Sequence, residues 1–170
     1  MYSCIFFGEN SQKAISDITT LSSEILNVLS FNKNKILVCG AYPHIALING
    51  ENNINIEGEN IILIFTDKNK YNIKIKNCVG VVSTASDSYG ARFASDHKFL
   101  LIDCGMSPKS TLTFSSMGDD LDIVCLQRTI TLSDNSVIEP MEQQLHKKIK
   151  NPINELIFSA INIIINKSCT

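Results

Sequence analysis

Long hydrophobic runs are missing from this 170-residue chain. The C-terminal run Ile161–Ile165 is interrupted by Asn162, and a membrane span needs about 20 apolar residues. The N-terminal residues also lack the positive segment and the apolar stretch of a secretory signal peptide. We therefore expect a cytoplasmic protein that does not interact with membranes.

A strong charge of either sign is also absent. Lys and Arg number 15 and Asp and Glu 17, so the net charge is −2. Without a basic field or a basic tail, nucleic acid is not an expected partner. Hydrophobic residues make up 44% and charged residues 19%, as in ordinary globular proteins. The length predicts one domain over residues 1–170, which can bury roughly two-thirds of its unfolded surface.

Paired cysteine spacings are absent as well. The six cysteines include no CxxC and no metal-ligand pairing, and no cofactor or metal is predicted. Free cysteines in apolar runs prefer the interior, so we expect small buried thiols in a reducing compartment. The cysteines are Cys4, Cys39, Cys78, Cys104, Cys125 and Cys169.

What the chain does contain is a series of short β-branched runs between two helical segments. The apolar spacing predicts a helix over Ser11–Leu29 and a closing helix over Pro152–Asn166, with Asn151 as its N-cap. A shorter helix is predicted over Ser88–Ser95, and Ile54 and Ile56 suggest a hairpin arm. The predicted strands are Lys35–Cys39, Asn60–Thr66, Tyr71–Lys76, Cys78–Ser83, Phe99–Asp103, Thr111–Ser115 and Asp122–Leu126.

This order of elements predicts an α/β fold with a mixed, largely buried β-sheet and flanking helices. A parallel pair of strands needs a crossover of a dozen or more residues, and several of the runs lie closer together than that. We therefore expect antiparallel pairs around Asn60–Ser83 and around Thr111–Ile130.

The stretch Lys98–Ile130 is the predicted site, because apolar runs, glycines and small polar residues lie closest together there. Its first turn, Met106–Thr111, offers hydroxyls, backbone amides and a lysine. These groups suit either an anion nest or an ordinary polar loop. Arg128 either pairs with an aspartate of the acidic turn Gly118–Asp122 or faces a ligand. The acidic turn Gly118–Asp122 either binds a hard cation or is only solvated. The candidate ligand-binding residues here are Cys104, Gly105, Ser107, Lys109, Ser110, Thr111 and Arg128.

Cys104 lies where a strand meets a glycine turn, a position at which α/β folds display ligand contacts. A catalytic thiol needs a pKa lowered by a nearby histidine or cation. His97 precedes Cys104 by seven residues, and Asp103 opposes thiolate formation. Cys104 is therefore either the nucleophile of a small enzyme or a buried thiol.

Two segments together resemble the ATP-dependent Mur ligases of bacterial peptidoglycan synthesis, in the second half of their central domain. Leu100–Gly105 followed by Lys109–Thr113 is similar to the family's strand, aromatic-glycine turn and small-residue strand. Asn151–Asn154 running into Ser159–Ile161 is similar to the family's His-Asn-x-x-Asn helix. The resemblance implies Rossmann-like layers and a link to cell-wall precursors. It also implies that Asn154 lies near a nucleotide base, although asparagine favours helix starts without any ligand.

The chain departs from that family at its phosphate site. The family binds ATP on a glycine-rich loop that ends in Lys and Ser/Thr, whereas Cys39–His44 has one glycine and no lysine. Lys150 stands in place of the helix histidine. We therefore predict a non-catalytic or degenerate Mur-ligase-like domain that binds a small ligand or a protein partner. The alternatives are a small enzyme with its site at Cys104–Ser116, and a structural or homo-oligomeric module that uses the Pro152–Asn166 helix.

Overall fold

The centre of the protein is a seven-stranded sheet. The structure is a computed structural model that describes residues 1–22, 27–32, 35–39, 42, 44–84, 89–145 and 149–167. All neighbouring strands are parallel except β2 and β3, which are antiparallel. In spatial order the strands are β3 (Lys35–Cys39), β2 (Val28–Asn32), β4 (Ile45–Asn49), β1 (Tyr2–Phe7), β6 (Ile61–Phe65), β8 (Gly80–Ser83) and β9 (Leu101–Asp103).

The N-terminal strand β1 lies in the middle of this sheet, between β4 and β6. Its residues from Cys4 to Phe7 are all buried. No strand is predicted there from the sequence, since no local turn links β1 to a neighbouring strand. Both partners of β1 come much later in the chain, so its pairing has no local signature.

The side chains of the sheet alternate between two hydrophobic cores, because successive residues of a strand point to opposite faces. Cys4 and Phe6 belong to one core, together with the buried sides of helices α1 (Ser11–Ser22) and α3 (Pro152–Lys167). Ile5 and Phe7 belong to the other, which we call the aromatic core. This core is covered by the elements α2 (Tyr89–His97), β5 (Asn53–Ile56) and β7 (Asn72–Ile75).

The two short strands β5 and β7 occupy the connections that cross the aromatic core. They pair with each other in parallel as a separate two-stranded sheet. The predicted antiparallel pairing around Asn60–Ser83 is therefore wrong, because β6 and β8 are parallel neighbours. The error arises because β7 leaves the main sheet and acts as the crossover. The predicted hairpin arm at Ile54 and Ile56 is also wrong, because β5 pairs in parallel with β7, and a hairpin is antiparallel.

The first predicted helix is too long. Helix α1 ends at Ser22, and Leu29 lies in strand β2. The predicted helical positions Ile25 and Leu26 lie outside the described residues. The apolar spacing continues past the helix because β2 supplies its own buried residues, Val28 among them.

A second, antiparallel sheet has the order β10-β11-β14, and β12 and β13 form a short hairpin beside it. The predicted antiparallel pairing around Thr111–Ile130 is confirmed. The sequence does not predict strand β14, because Leu145 is the one buried residue of an otherwise polar segment. The bounds are β10 (Leu112–Met117), β11 (Asp122–Leu126), β12 (Ile130–Thr131), β13 (Val137–Ile138) and β14 (Met141–Leu145).

Helix α3 is buried on every side. Each residue from Asn154 to Ile165 is buried, and the helix contacts α1, β8 and β10. An α-helix without an exposed face belongs to the interior and is not a surface helix with one apolar side. Ile161, which lies in the helix that the structural-module alternative uses for partner binding, is fully buried within the chain.

Candidate functional site

The predicted turn after β9 is closed by its own hydrogen bonds. Asp103 Oδ1 accepts from the Thr111 amide at 3.1 Å and from the Thr111 hydroxyl at 2.6 Å. The Gly105 amide donates to the Leu112 carbonyl at 3.1 Å. These bonds hold the two ends of the turn together, so the amides of Gly105 and Thr111 point into the protein and not toward an anion.

The middle of the same turn is also internally bonded. The Ser107 hydroxyl accepts from the Lys109 amide at 3.2 Å, and the Ser107 carbonyl accepts from the Ser110 amide at 2.9 Å. Arg128 donates from Nη2 to the Lys109 carbonyl. The structure thus brings together the candidate residues of the turn and Arg128, in the geometry of a self-contained polar loop. Their role in ligand binding stays a prediction.

Cys104 is a buried thiol. Its side chain is 1% exposed, and burial together with the Asp103 carboxylate raises the pKa of the thiol. Cys104 belongs to the core beneath α3, whereas His97 packs with the aromatic residues on the opposite face of the sheet. The thiolate is therefore disfavoured, and His97 is not placed to activate it.

Burial also raises the pKa of two other thiols, Cys4 and Cys78. Cys4 is buried, and burial raises the pKa of its thiol. Burial also raises the pKa of Cys78 to about 11, although Cys78 donates a hydrogen bond to the Gly80 carbonyl at 3.0 Å. Cys125 is partly exposed. The prediction of buried thiols is confirmed for Cys4 and Cys104, while the side chain of Cys39 and all of Cys169 lie outside the described residues.

Asn154 lies apart from the predicted turn, at the contact between α1 and α3. Its side-chain amide donates to Asp17 Oδ2 at 2.8 Å. The predicted N-cap is confirmed nearby, because Asn151 Oδ1 accepts from the Ile153 amide at 3.1 Å. Asn154 thus has a structural role that joins two helices.

The acidic turn between β10 and β11 is closed by Asp122, which is buried and accepts from the Gly118 amide at 3.2 Å. Within the part of the chain that the structure describes, no three His, Cys, Asp or Glu side chains meet as metal ligands. No described helix is long and apolar enough to cross a bilayer.

A cleft of about 800 Å³ lies between α2 and the β5–β7 pair, over the aromatic core. We call it the aromatic cleft. Helix α2 approaches the sheet closely at Gly90, where a Cβ atom would come within 2.6 Å of the Phe65 ring. The cleft is lined by Asn52, Asn53, Lys70, Tyr71, Asn72, Ile73, Tyr89, Arg92, Phe93, Asp96 and His97.

Stacked rings form one wall of the aromatic cleft. The rings of Phe93 and His97 stack with their centroids 4.2 Å apart and their planes at 27°. His97 also stacks on Phe99 at 5.6 Å, and its Nδ1 donates to the Phe93 carbonyl at 2.9 Å. Tyr89 extends the row, 5.8 Å from Phe93. Phe93 is buried in this row, so the rings with exposed surface in the cleft are those of Tyr89 and His97.

Two phenols and two cations give the aromatic cleft its polarity. Burial and the hydrogen bond to Asp67 raise the pKa of Tyr71 to about 12. Burial and the Asp96 carboxylate raise the pKa of Tyr89. Both phenols therefore stay neutral at physiological pH. Lys70 and Arg92 line the same cavity with one carboxylate, that of Asp96, so the formal charge of the lining is +1.

Sequence reasoning missed this site because its residues come from three separate segments. The available signal was the spacing of Tyr89, Phe93 and His97, which lie four residues apart and share one helix face. In comparisons with known proteins, no family model matches the chain and no curated protein matches it significantly.

Proposed function

We propose that this chain is a non-catalytic small-ligand-binding domain and that its ligand lies in the aromatic cleft. The ligand class is a nucleotide, in which a planar ring stacks on the aromatic wall and a phosphate meets Lys70 and Arg92. The observation that carries this proposal is the presence of stacked rings and two cations in one cavity of about 800 Å³.

The physical chemistry of the aromatic cleft supports this choice. Ligand sites are typically clefts of about 300–1,000 Å³ with aromatic walls and a few convergent polar groups. Flat rings favour offset stacking with other rings. Arginine and lysine are the side chains that pair with phosphate, arginine through its planar fork. The cleft offers all of these features on one face of the sheet.

The Mur-ligase-like relationship is part of the proposal, and the predominantly parallel sheet with helices on its faces is compatible with it. Strand β1 is followed by Gly8-Glu9-Asn10-Ser11, which has one glycine and no lysine to hold ATP phosphates. We therefore propose binding without ATP hydrolysis, and UDP-linked cell-wall precursors are the first ligands to test.

The experiment is a thermal-shift screen with UDP, UDP-linked precursors and ATP with magnesium. A ligand at a hundred times its dissociation constant stabilises the fold by about 2.7 kcal/mol, which raises Tm measurably. Arg92→Gln and Lys70→Gln should each weaken binding about tenfold, since each removes one charge-assisted contact. Lys13→Gln, at an exposed position of helix α1, is the matched control.

The proposal fails if none of these nucleotides raises Tm. It also fails if Arg92→Gln and Lys70→Gln leave the affinity unchanged, because the ligand would then bind elsewhere. A shift produced by ATP alone, accompanied by phosphate release, would overturn the non-catalytic assignment.

A further inference from the structure

Among the described residues that line the aromatic cleft, Asp96 is the one carboxylate, and the proposed stacking and phosphate contacts do not use it. It lies four residues after Arg92 and directly before His97 on helix α2. Burial and the negative charge of Asp96 raise the pKa of the Tyr89 phenol, so this charge acts inside the cleft. Asp96 is exposed and makes no hydrogen bond or ion pair with another described residue. Its oxygens are therefore available to a ligand.

The two ends of the aromatic cleft differ in charge. Lys70 directly precedes Tyr71, whose ring lies 6.1 Å from the ring of Tyr89 at the start of α2. Asp96 follows Tyr89 by seven residues on that helix, which is about 10 Å at the helical rise. A phosphate is attracted to the Lys70 end and repelled from the Asp96 end. The base of a bound nucleotide therefore belongs at the Asp96 end, where His97 offers an exposed ring.

A carboxylate at this end can distinguish the bases by their hydrogen-bonding groups. It only accepts hydrogen bonds, and it can accept two in parallel from adjacent N–H groups. Guanine presents two such donors side by side, the ring N1–H and the 2-amino group. Adenine and cytosine present an amino group beside a ring nitrogen that is an acceptor, and uracil presents one N–H between two carbonyls. The carboxylate therefore pairs fully with guanine and faces an opposing acceptor in the other bases.

We infer that the nucleotide of the aromatic cleft is a guanine nucleotide and that Asp96 accepts hydrogen bonds from its N1–H and 2-amino groups. This inference rests on the proposed function, because the base must first stack in the aromatic cleft. The base lies at the His97 end, and the phosphate reaches Arg92 and Lys70. Asp96 determines the preference among bases. The stacking and phosphate contacts are common to all nucleotides, so other nucleotides bind the same cleft more weakly.

The test compares bases on a constant ribose 5′-phosphate. Guanosine, inosine, adenosine and uridine monophosphates are titrated calorimetrically into the full chain, with EDTA present to remove metal ions. The guanosine ligand should bind about tenfold tighter than the adenosine and uridine ligands, as expected for an added charge-assisted contact. The inosine ligand differs from the guanosine ligand only in lacking the 2-amino group, and its affinity should lie between these values.

The variant Asp96→Asn adds a gain of affinity that a misfolded protein could not show. The preference for the guanosine over the adenosine ligand should fall to within about twofold. An asparagine side chain combines a donor with an acceptor, and it therefore matches the C2 carbonyl and N1–H of xanthine. Xanthosine monophosphate should bind Asp96→Asn about tenfold tighter than it binds the wild type. Asp120→Asn, in the exposed turn between β10 and β11, is the matched control and should keep the guanine preference.

The outcomes separate the two proposals. If no nucleotide binds the wild type, the proposed function itself fails. If the guanosine, adenosine and uridine ligands bind with equal affinity, only the inference fails. A guanine preference that survives in Asp96→Asn also overturns the inference, because another group then contacts the base. An inosine affinity equal to the guanosine affinity overturns it as well, since the 2-amino group then makes no contact.

Discussion

The Tyr71 phenol connects the aromatic core to Asp67, which follows strand β6. It donates to the Asp67 carboxylate at 3.0 Å, and its side chain is 6% exposed. The pKa of Tyr71 is raised from 10.0 to about 12, so the folded state favours the neutral phenol. The stabilisation from Tyr71 is therefore complete below pH 10 and is lost as the pH rises through 12.

This residue gives a prediction for alkaline pH. The wild-type free energy of unfolding should fall between pH 10 and pH 12 as Tyr71 ionises in the unfolded state first. Tyr71→Phe should remove part of that fall and should cost about 1.5–3 kcal/mol at pH 8, where it loses its hydrogen bond to the Asp67 carboxylate. Urea denaturation at each pH measures both effects, with Tyr2→Phe as control. An identical alkaline slope in Tyr71→Phe and wild type would contradict the assignment.

At the scale of the element, helix α3 carries buried polar groups that the rest of the structure leaves without partners. Ser159 Oγ and Asn162 Oδ1 are buried and have no hydrogen-bond partner among the described residues. They lie three residues apart and so share one face of the helix. Asn154 is also buried, but its amide is bonded to Asp17.

The two kinds of buried polar residue should respond oppositely to substitution. Ser159→Ala and Asn162→Leu should leave stability unchanged or raise it by about 1 kcal/mol, because each removes an unsatisfied buried group. Asn154→Leu should lower it by about 1.5–3 kcal/mol, because a bond to a charged carboxylate is lost. Chemical denaturation measures the free energy of unfolding of the three variants and so tests these predictions. A loss of several kcal/mol in Ser159→Ala would show that its hydroxyl has a partner.

The helices and strands also show which parts of the fold could be predicted from the sequence. The start of α3 at Asn151-Pro152 and strand β11 at Asp122–Leu126 were predictable, because caps and apolar runs are local signals. The burial of α3 was not, because it depends on contacts with α1, β8 and β10, which come from distant parts of the chain. Strand β1 was missed because its partners are distant in sequence. The aromatic cleft was missed for the same reason, because it forms only when three segments meet.

At the scale of the whole molecule, one sheet separates two cores. Phe6 and Phe7 are adjacent, yet Phe6 packs beneath α1 and α3 while Phe7 stacks on Phe65 in the aromatic core, with ring centroids 5.1 Å apart. Both are completely buried. Because the same strands build both cores, neither core can lose its packing without disturbing the other.

We therefore expect one cooperative unfolding transition. Phe6→Ala and Phe7→Ala should each cost about 3–5 kcal/mol, as large-to-small core substitutions do, and each should shift the whole transition. Tyrosine fluorescence, to which Tyr71 and Tyr89 of the aromatic core contribute, is compared with far-UV circular dichroism; the chain contains no tryptophan. Separate midpoints for the two signals in Phe7→Ala would mean that the cores unfold independently.

The central position of β1 has a consequence for biosynthesis. Strand β1 is translated before both of its neighbours in the sheet, β4 and β6. Until Phe65 has emerged, β1 has no partner on at least one edge and exposes the apolar residues Ile5, Phe6 and Phe7. A nascent chain of this kind exposes an apolar segment early, so chaperone binding to β1 should precede the assembly of the sheet in the cell.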